Sequence, residues 1–424
     1  MMRLFLCGDV MTGRGIDQAL PHPVNPVLYE PYVRDAREYV QLAEKAHGSI
    51  PRPLNFDYIW GDALKELERA EVAEPASGGQ PLQSNEYDRS GKATRRGWTT
   101  QPPAAAGGCP PGAKRVDFRI VNLETAITSA ETPWIGKAVH YRMHPQNIGC
   151  LSAAHISACA LANNHVLDWG YDGLSETLLS LGAAGIAHSG AGNDSDEAMQ
   201  PAVLNATGKG RLLLFSFGST TSGIPQDWKA TSISPGVNLL DDLSETTAAQ
   251  ICDQMRAHQQ PGDLIVASIH WGSNWGYEIP REQVVFAHRL IEQGVAIVHG
   301  HSSHHVKAIE VFGGRLILYG CGDFLTDYEG ISGYETFRGD LALMYLVELD
   351  SDSGELIAAR LVPMRMRRFQ LQRALAADAR WLCDLLDKLG AKFNTRVKLQ
   401  NDNSLELEWP GCRQFCLTST RADL

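Results

Sequence analysis

Short apolar runs in this chain end, again and again, in a polar turn. The first run closes on Gly8-Asp9, the run near 119–123 on Asn122-Leu123-Glu124, and the run 156–161 on Ala162-Asn163-Asn164-His165-Val166-Leu167-Asp168-Trp169-Gly170. Three more close on His270-Trp271-Gly272, His299-Gly300-His301 and Gly322-Asp323. A continuous apolar run of this length reads as a buried strand, and α/β sheets place their sites at the carboxyl ends of strands. Helical patterns alternate with the runs, around 174–184, 246–257 and 281–292. The alternation predicts an α/β fold built largely on parallel pairing, with one site where the polar strand ends converge. The segment 341–349, followed by Asp350-Ser351-Asp352-Ser353-Gly354 and then 356–363, reads instead as a β-hairpin.

A chain of 424 residues with 44% hydrophobic content can bury a large core. Its formal charge of −11 gives no basic face for phosphate neutralisation, so nucleic acid is excluded as the expected partner. Nine cysteines show no paired spacing, and Cys7, Cys159, Cys252 and Cys321 sit in apolar or small-residue runs, as reduced core thiols do. The amino terminus reads as a first strand, too short in its apolar run for a signal peptide. No stretch has the ~20 apolar residues of a membrane helix, and a cytoplasmic location without a transmembrane anchor is expected. Residues 72–114, rich in Pro, Gly and Ala, read as a disordered insertion in a domain spanning 1–368. Residues 21–53 read as an ordered excursion beside the first strand's turn, and 369–424 as a helical and strand extension.

Asp9, Glu124, Asn164, His270, His301 and His304 offer the oxygen and imidazole ligands that a pair of Zn, Mn or Fe ions accepts, with a carboxylate available to bridge. His165, on the same turn as Asn164, is placed to move a proton, with Asp168 to orient it. Each element also has an ordinary structural explanation. Asp9 alone fits a turn, Glu124 can open a helix, and Asn164 can cap the helix beginning near Gly170. The cluster His299, His301, His304 and His305 is harder to read as packing. Trp271 is a candidate wall for a substrate pocket, whereas packing is the favoured reading of Trp275. Arg14 is a candidate clamp for a carboxylate or phosphate, with a surface ion pair as the commoner fate. The glycines from Gly8 to Gly15 lack the Lys-Ser/Thr of a nucleotide-binding loop.

Gly8-Asp9-Val10-Met11-x-Gly13-Arg14, Asn122-Leu123-Glu124-Thr125, Ala162-Asn163-Asn164-His165-x-x-Asp168-x-Gly170, Gly190-Ala191-Gly192, His270-Trp271-Gly272, Gly300-His301-x-x-His304 and Gly322-Asp323-Phe324 form a specific set. On these the chain resembles the CapA, or poly-γ-glutamate capsule-biosynthesis, proteins of the calcineurin-like metallophosphoesterase superfamily, from Gly8 to about Pro363 apart from the insertion. The resemblance implies a four-layer αββα sandwich of two mixed sheets with metals over the sheet edges. It implies Asp9 and Glu124 as acidic ligands, Asn164, His270 and His301 as ligands of the second ion, His304 as a ligand of the first, and His165 as proton donor. The superfamily usually has Asp-x-His at the first strand and Asp where Glu124 stands. Here Met11 takes the His position, and a thioether is a weak ligand for a hard ion, which predicts a weakened or empty first site.

Family members handle poly-γ-glutamate, and relatives in peptide natural-product pathways are epimerases. The expectation is therefore a hydrolase dependent on one or two divalent ions (Mn, Zn or Fe), cleaving an amide (γ-glutamyl or peptide) or phosphoester bond. Its substrate is small and anionic or peptide-like, such as a γ-glutamyl chain. A non-catalytic polymer-binding component of capsule assembly and a peptide epimerase stand as alternatives.

Overall fold

A computed structural model describes residues 1–69 and 116–412. The insertion expected over 72–114 lies outside them. Ten strands form the first sheet. Its main path runs Arg396–Leu399, Leu405–Glu408, Leu356–Met366, Leu341–Leu349, Met2–Val10, Phe118–Leu123, Ala158–Ala160 and Ala187–Ser189. Asp323–Leu325 also pairs with Met2–Val10, and Leu371–Arg373 with Leu356–Met366. The second sheet has six strands in the order Ile309–Phe312, Arg315–Leu318, Ile297–His301, Leu264–His270, Gly210–Gly218 and Ala202–Ala206.

Both sheets are mixed, which corrects the expectation of largely parallel pairing. Met2–Val10 is parallel to Phe118–Leu123 on one side and antiparallel to Leu341–Leu349 on the other. In the second sheet the four central strands are parallel and both edges antiparallel. The reason is connection length. The links 207–209, 313–314 and 350–355 are far shorter than the dozen or so residues a parallel crossover needs, so each closes a hairpin. The hairpin expected at 341–363 forms, its second strand running on to Met366.

Alternation along the strands sorts the side chains into layers. Leu4 and Leu6 join Leu212, Leu214, Leu264 and Val266 of the second sheet in one core shared by both sheets. Phe5, Cys7 and Val121 turn to the opposite face and pack with Val40, Trp60, Leu174 and Leu178, which come largely from the helices Arg37–His47 and Gly170–Ala183. Leu213, Ile265 and Ala267 likewise pack against Ile251 and Met255 of Glu245–His258 and Phe286 and Leu290 of Arg281–Glu292. The segment expected as an ordered excursion contributes Glu30 and Tyr39 to the interior. The carboxyl-terminal strand Leu405–Glu408 continues the first sheet by pairing with Leu356–Met366. The seven described cysteines are free thiols. No helix among the described residues is long and apolar enough to cross a membrane.

Candidate functional site

Parallel register brings the polar strand ends together. Asp9 lies opposite Asn122 and Asp323 in the first sheet, and His270 opposite His301 in the second. Two glycines allow the close approach. A Cβ on Gly8 would lie 1.6 Å from the Gly322 carbonyl oxygen, and one on Gly300 only 2.5 Å from that of Leu318. Beyond His301 the chain turns through Ser302 at a φ of 99°, a strained value for a residue with a side chain. That turn aims the Ser302 amide at Asp9 Oδ2, 3.2 Å away.

Asp9, His270 and His301 are fully buried and present ligand atoms within 4.8 Å of one another. His270 Nε2 is 3.0 Å from Asn164 Oδ1 and 3.8 Å from Glu124 Oε1, and His301 Nδ1 is 3.8 Å from Asp9 Oδ1. Asn164 therefore faces an imidazole and caps no helix, and Glu124 leads into the short strand Ala126–Ile127. Burial, reinforced by the Asp323 charge at Asp9 and by Asp9 itself at Glu124, raises both carboxyl pKa values. Burial drives His270 and His301 well below the usual imidazole range, so both are neutral.

A chain of hydrogen bonds sets the tautomer of His301. The Cys7 carbonyl can only accept, so His299 Nε2 donates to it at 2.8 Å, leaving His299 Nδ1 as an acceptor. Ser268 Oγ gives its single proton to that nitrogen at 3.0 Å and accepts from His301 Nε2 at 2.9 Å. His301 Nδ1 is then a bare lone pair facing Asp9 and His270. With the Asn164 oxygen accepting from His270 Nε2, His270 Nδ1 is a second bare lone pair, 2.8 Å from the first. Two lone pairs at that distance repel unless a cation or proton stands beside them. Glu124 Oε2 and Asp323 Oδ2 are also buried without a hydrogen-bond partner among the described residues. This donor set fits a divalent ion held by Asp9, His270 and His301, with Asn164 and Glu124 adjoining.

His304 sits apart from that cluster. Its Nδ1 bonds Asp323 Oδ1 at 2.9 Å, and Asn274 Nδ2 donates to its Nε2 at 3.0 Å. Burial alone would lower its pKa; the Asp323 carboxylate outweighs it, and the pKa is raised. Met11 is buried with its sulfur 3.7 Å from the Tyr328 hydroxyl. His165 Nδ1 is 2.7 Å from Asp168 Oδ2, and Asp168 Oδ1 is 2.6 Å from Lys137 Nζ. The ring packs edge-on against Tyr141, centroids 4.7 Å apart, with Nε2 3.7 Å from Glu124 Oε1. Burial, only partly opposed by Asp168, lowers the His165 pKa to about 4.

Two expected residues have different places. Trp271 is buried in the core, its indole N–H bonded to the Tyr319 carbonyl at 3.1 Å; Trp275 lines the cavity instead. Arg14 does line the cavity but is neither a surface ion pair nor a free clamp. It is 4% exposed, bonded to Asp327 and Glu30, and stacked against Tyr39 and Tyr141. Lys137, Ser268 and Tyr328 escaped the sequence reading, because nothing local distinguishes them from ordinary surface or core residues. Asp323 was visible as a polar strand end, and its pairing with His304 was the missing information.

Mixed sheets with buried histidines and carboxylates converging at strand carboxyl ends define an α/β protein whose candidate site is a buried cluster of potential metal ligands. The chain belongs to the family described as bacterial capsule synthesis protein PGA_cap, whose family model matches residues 85–328. It is 40% identical over 408 residues, 96% of each chain, to the probable polyglutamine synthesis accessory protein of Mycobacterium tuberculosis. Capsule biosynthesis protein CapA of Bacillus anthracis is 24% identical over 296 residues, covering 67% of this chain and 70% of the other. PGA biosynthesis protein CapA of Bacillus subtilis is 24% identical over 212 residues, 50% and 53% of the two chains.

Proposed function

We propose that this chain is a divalent-metal-dependent hydrolase serving polyglutamate or capsule synthesis, built on the metallophosphoesterase type of αββα sandwich and cleaving an amide (γ-glutamyl or peptide) or phosphoester bond. The bare Nδ1 of His301, held toward Asp9 and His270 by the relay from the Cys7 carbonyl, carries this reading. Asp9, His270 and His301 would hold the ion, with Asn164 and Glu124 beside them, and the chemistry it would supply there is polarisation of a substrate oxygen and activation of water at neutral pH.

The protein's own groups do the rest. Asp168 accepts from His165 Nδ1, so the neutral ring presents an unprotonated Nε2 next to Glu124. His165 Nε2 accordingly takes the proton released by the attacking water first and returns it to the leaving group second. Lys137 compensates the Asp168 charge and keeps that carboxylate an acceptor. The Met11 sulfur supports one tightly held ion rather than two.

Metal analysis of protein purified without chelator, with a screen of γ-glutamyl peptides, phosphodiesters and phosphomonoesters, tests the assignment. Bound Zn, Mn or Fe and turnover are expected in the native protein, and neither in the His270→Ala, His301→Ala double variant. Absence of metal from the native protein, with no change on double substitution, removes the enzymatic reading.

A further inference from the structure

The candidate centre opens into a cavity of about 810 Å³ whose lining includes Glu124, Asn164, His165, His304 and Tyr328. Tyr328 is half-buried there, and its ring meets that of His304 edge-on, centroids 5.5 Å apart. Its hydroxyl accepts from the Tyr141 hydroxyl at 2.9 Å and turns its own proton to the Met11 sulfur at 3.7 Å. A thioether is a weak acceptor, so an oxygen brought within reach takes that proton at little cost.

The two hydroxyls are anchored on both flanks of the centre. Tyr141 packs edge-on against His165, whose Nε2 lies 3.7 Å from Glu124 Oε1. Tyr328 meets His304, whose Nδ1 bonds Asp323, the residue opposite Asp9 in the parallel register. Behind them stands Arg14, its guanidinium carbon 4.3 Å from the centre of the Tyr141 ring and 5.5 Å from that of Tyr328. Asp327 and Glu30 fix this guanidinium, and the Arg14 backbone is held at a φ of 47°, a left-handed conformation that costs a residue with a side chain. A cation over the faces of the two rings draws on their electron density, and a hydroxyl that accepts one hydrogen bond donates the next more strongly. Both effects make Tyr328 a better donor than an isolated phenol.

We infer that the Tyr328 hydroxyl is a further catalytic donor of this site: it gives up the Met11 sulfur for the oxyanion that a ligand places at the Asp9, His270 and His301 cluster, with Tyr141 and Arg14 as positioning residues. The ligands it suits carry or develop negative charge on oxygen at the reacting group, as a phosphoester does, or an amide as water adds to its carbonyl. The catalytic part rests on the hydrolytic reading of the site and adds to it a donor belonging to the protein.

Binding and turnover test the two separately. Inorganic phosphate, a tetrahedral oxyanion, is titrated calorimetrically into the full chain as purified, with metal content measured alongside; bis(4-nitrophenyl) phosphate and γ-glutamyl-4-nitroanilide report turnover. Tyr328→Phe keeps the ring and deletes the hydroxyl. It is expected to bind phosphate at least about tenfold more weakly with metal content unchanged, and to lose about 10²–10³-fold in kcat with a smaller change in KM. Tyr141→Phe, which leaves the Tyr328 hydroxyl in place, is expected to weaken phosphate by about threefold at an unchanged urea midpoint, and it decides the question if the first variant does not fold. Unchanged phosphate affinity in the variant that decides overturns the inference, as does failure of the native protein to bind phosphate. Loss of metal together with phosphate also overturns it, because the hydroxyl then supports the ion and not the ligand. Phosphate binding that depends on Tyr328, without turnover of either compound, overturns only the hydrolase assignment.

Discussion

His270 Nδ1 lies 2.8 Å from His301 Nδ1, on two residues that are direct partners in the parallel register of their strands. The contact is therefore built by the sheet itself, and the tautomer on the His301 side is dictated from beneath by Ser268, His299 and the Cys7 carbonyl. Ser268→Ala removes the hydroxyl that ties His301 to that relay while leaving every ligand atom in place. Loss of an outer-shell partner costs about 10–100-fold in metal affinity, and a drop in that range is expected in a chelator-competition titration. Unchanged affinity would show that the relay does not orient the ligand.

Asp168 ties its own turn to the loop 137–141, with its carboxylate on His165, Lys137 and the Tyr141 amide. Asp168→Ala strands a mostly buried lysine and leaves the imidazole free to rotate. Removing one partner from such a buried pair is expected to cost about 3 kcal/mol, read as a lower urea midpoint, together with a fall in kcat larger than any change in KM.

The two tryptophans of the 271–275 turn should separate cleanly. Trp271 is buried against Phe286 and Tyr319, so Trp271→Ala is expected to lose about 3–5 kcal/mol of stability. Trp275 is only partly buried at the cavity wall; its replacement by alanine should cost far less stability and weaken aromatic ligands instead. Comparing the two urea midpoints tests the assignment, and an equal loss in both would contradict it.

Asp17 gives the fold a pH dependence remote from the site. Its carboxylate accepts from the Val24 and His144 amides and from Asn147, yet burial outweighs these donors and raises its pKa from 3.8 to about 6. The folded state then binds the proton more tightly than the unfolded chain. Stability from this group is complete below pH ~4 and is lost as pH rises through ~6, by up to about 3 kcal/mol. Urea unfolding across that range should show native stability falling relative to Asp17→Asn, and a difference between the two that stays constant with pH would refute the shift.

Much of the architecture was legible because burial leaves a local mark. The runs ending at Asp9, Asn122 and His270 were readable as strands, and the helix at Arg281–Glu292 by its periodicity. Pairing direction was less legible: the turn at 350–354 announced a hairpin, whereas the hairpins closed by 207–209 and by Gly313-Gly314 drew no such reading, the second despite a favourable two-residue Gly-Gly link. Within the site, residue types that bind metals or protons drew notice, while Lys137 and Ser268 did not, since their roles come wholly from Asp168 and from His299 and His301.

The sequence by itself determined which groups stand at strand ends, because a strand covered on both faces must be apolar along its length and can become polar only where it leaves the sheet. It also carried the family, through motifs that each occupy a few consecutive residues. Only the tertiary structure decided which of those groups meet, which nitrogen of His301 is bare, and that Trp271 belongs to the core. It alone balanced Arg14 against carboxylates 16 and 313 residues away. Such contacts depend on register and on packing between distant segments, and no local pattern of residues encodes the distance between two chains of atoms that meet only after folding.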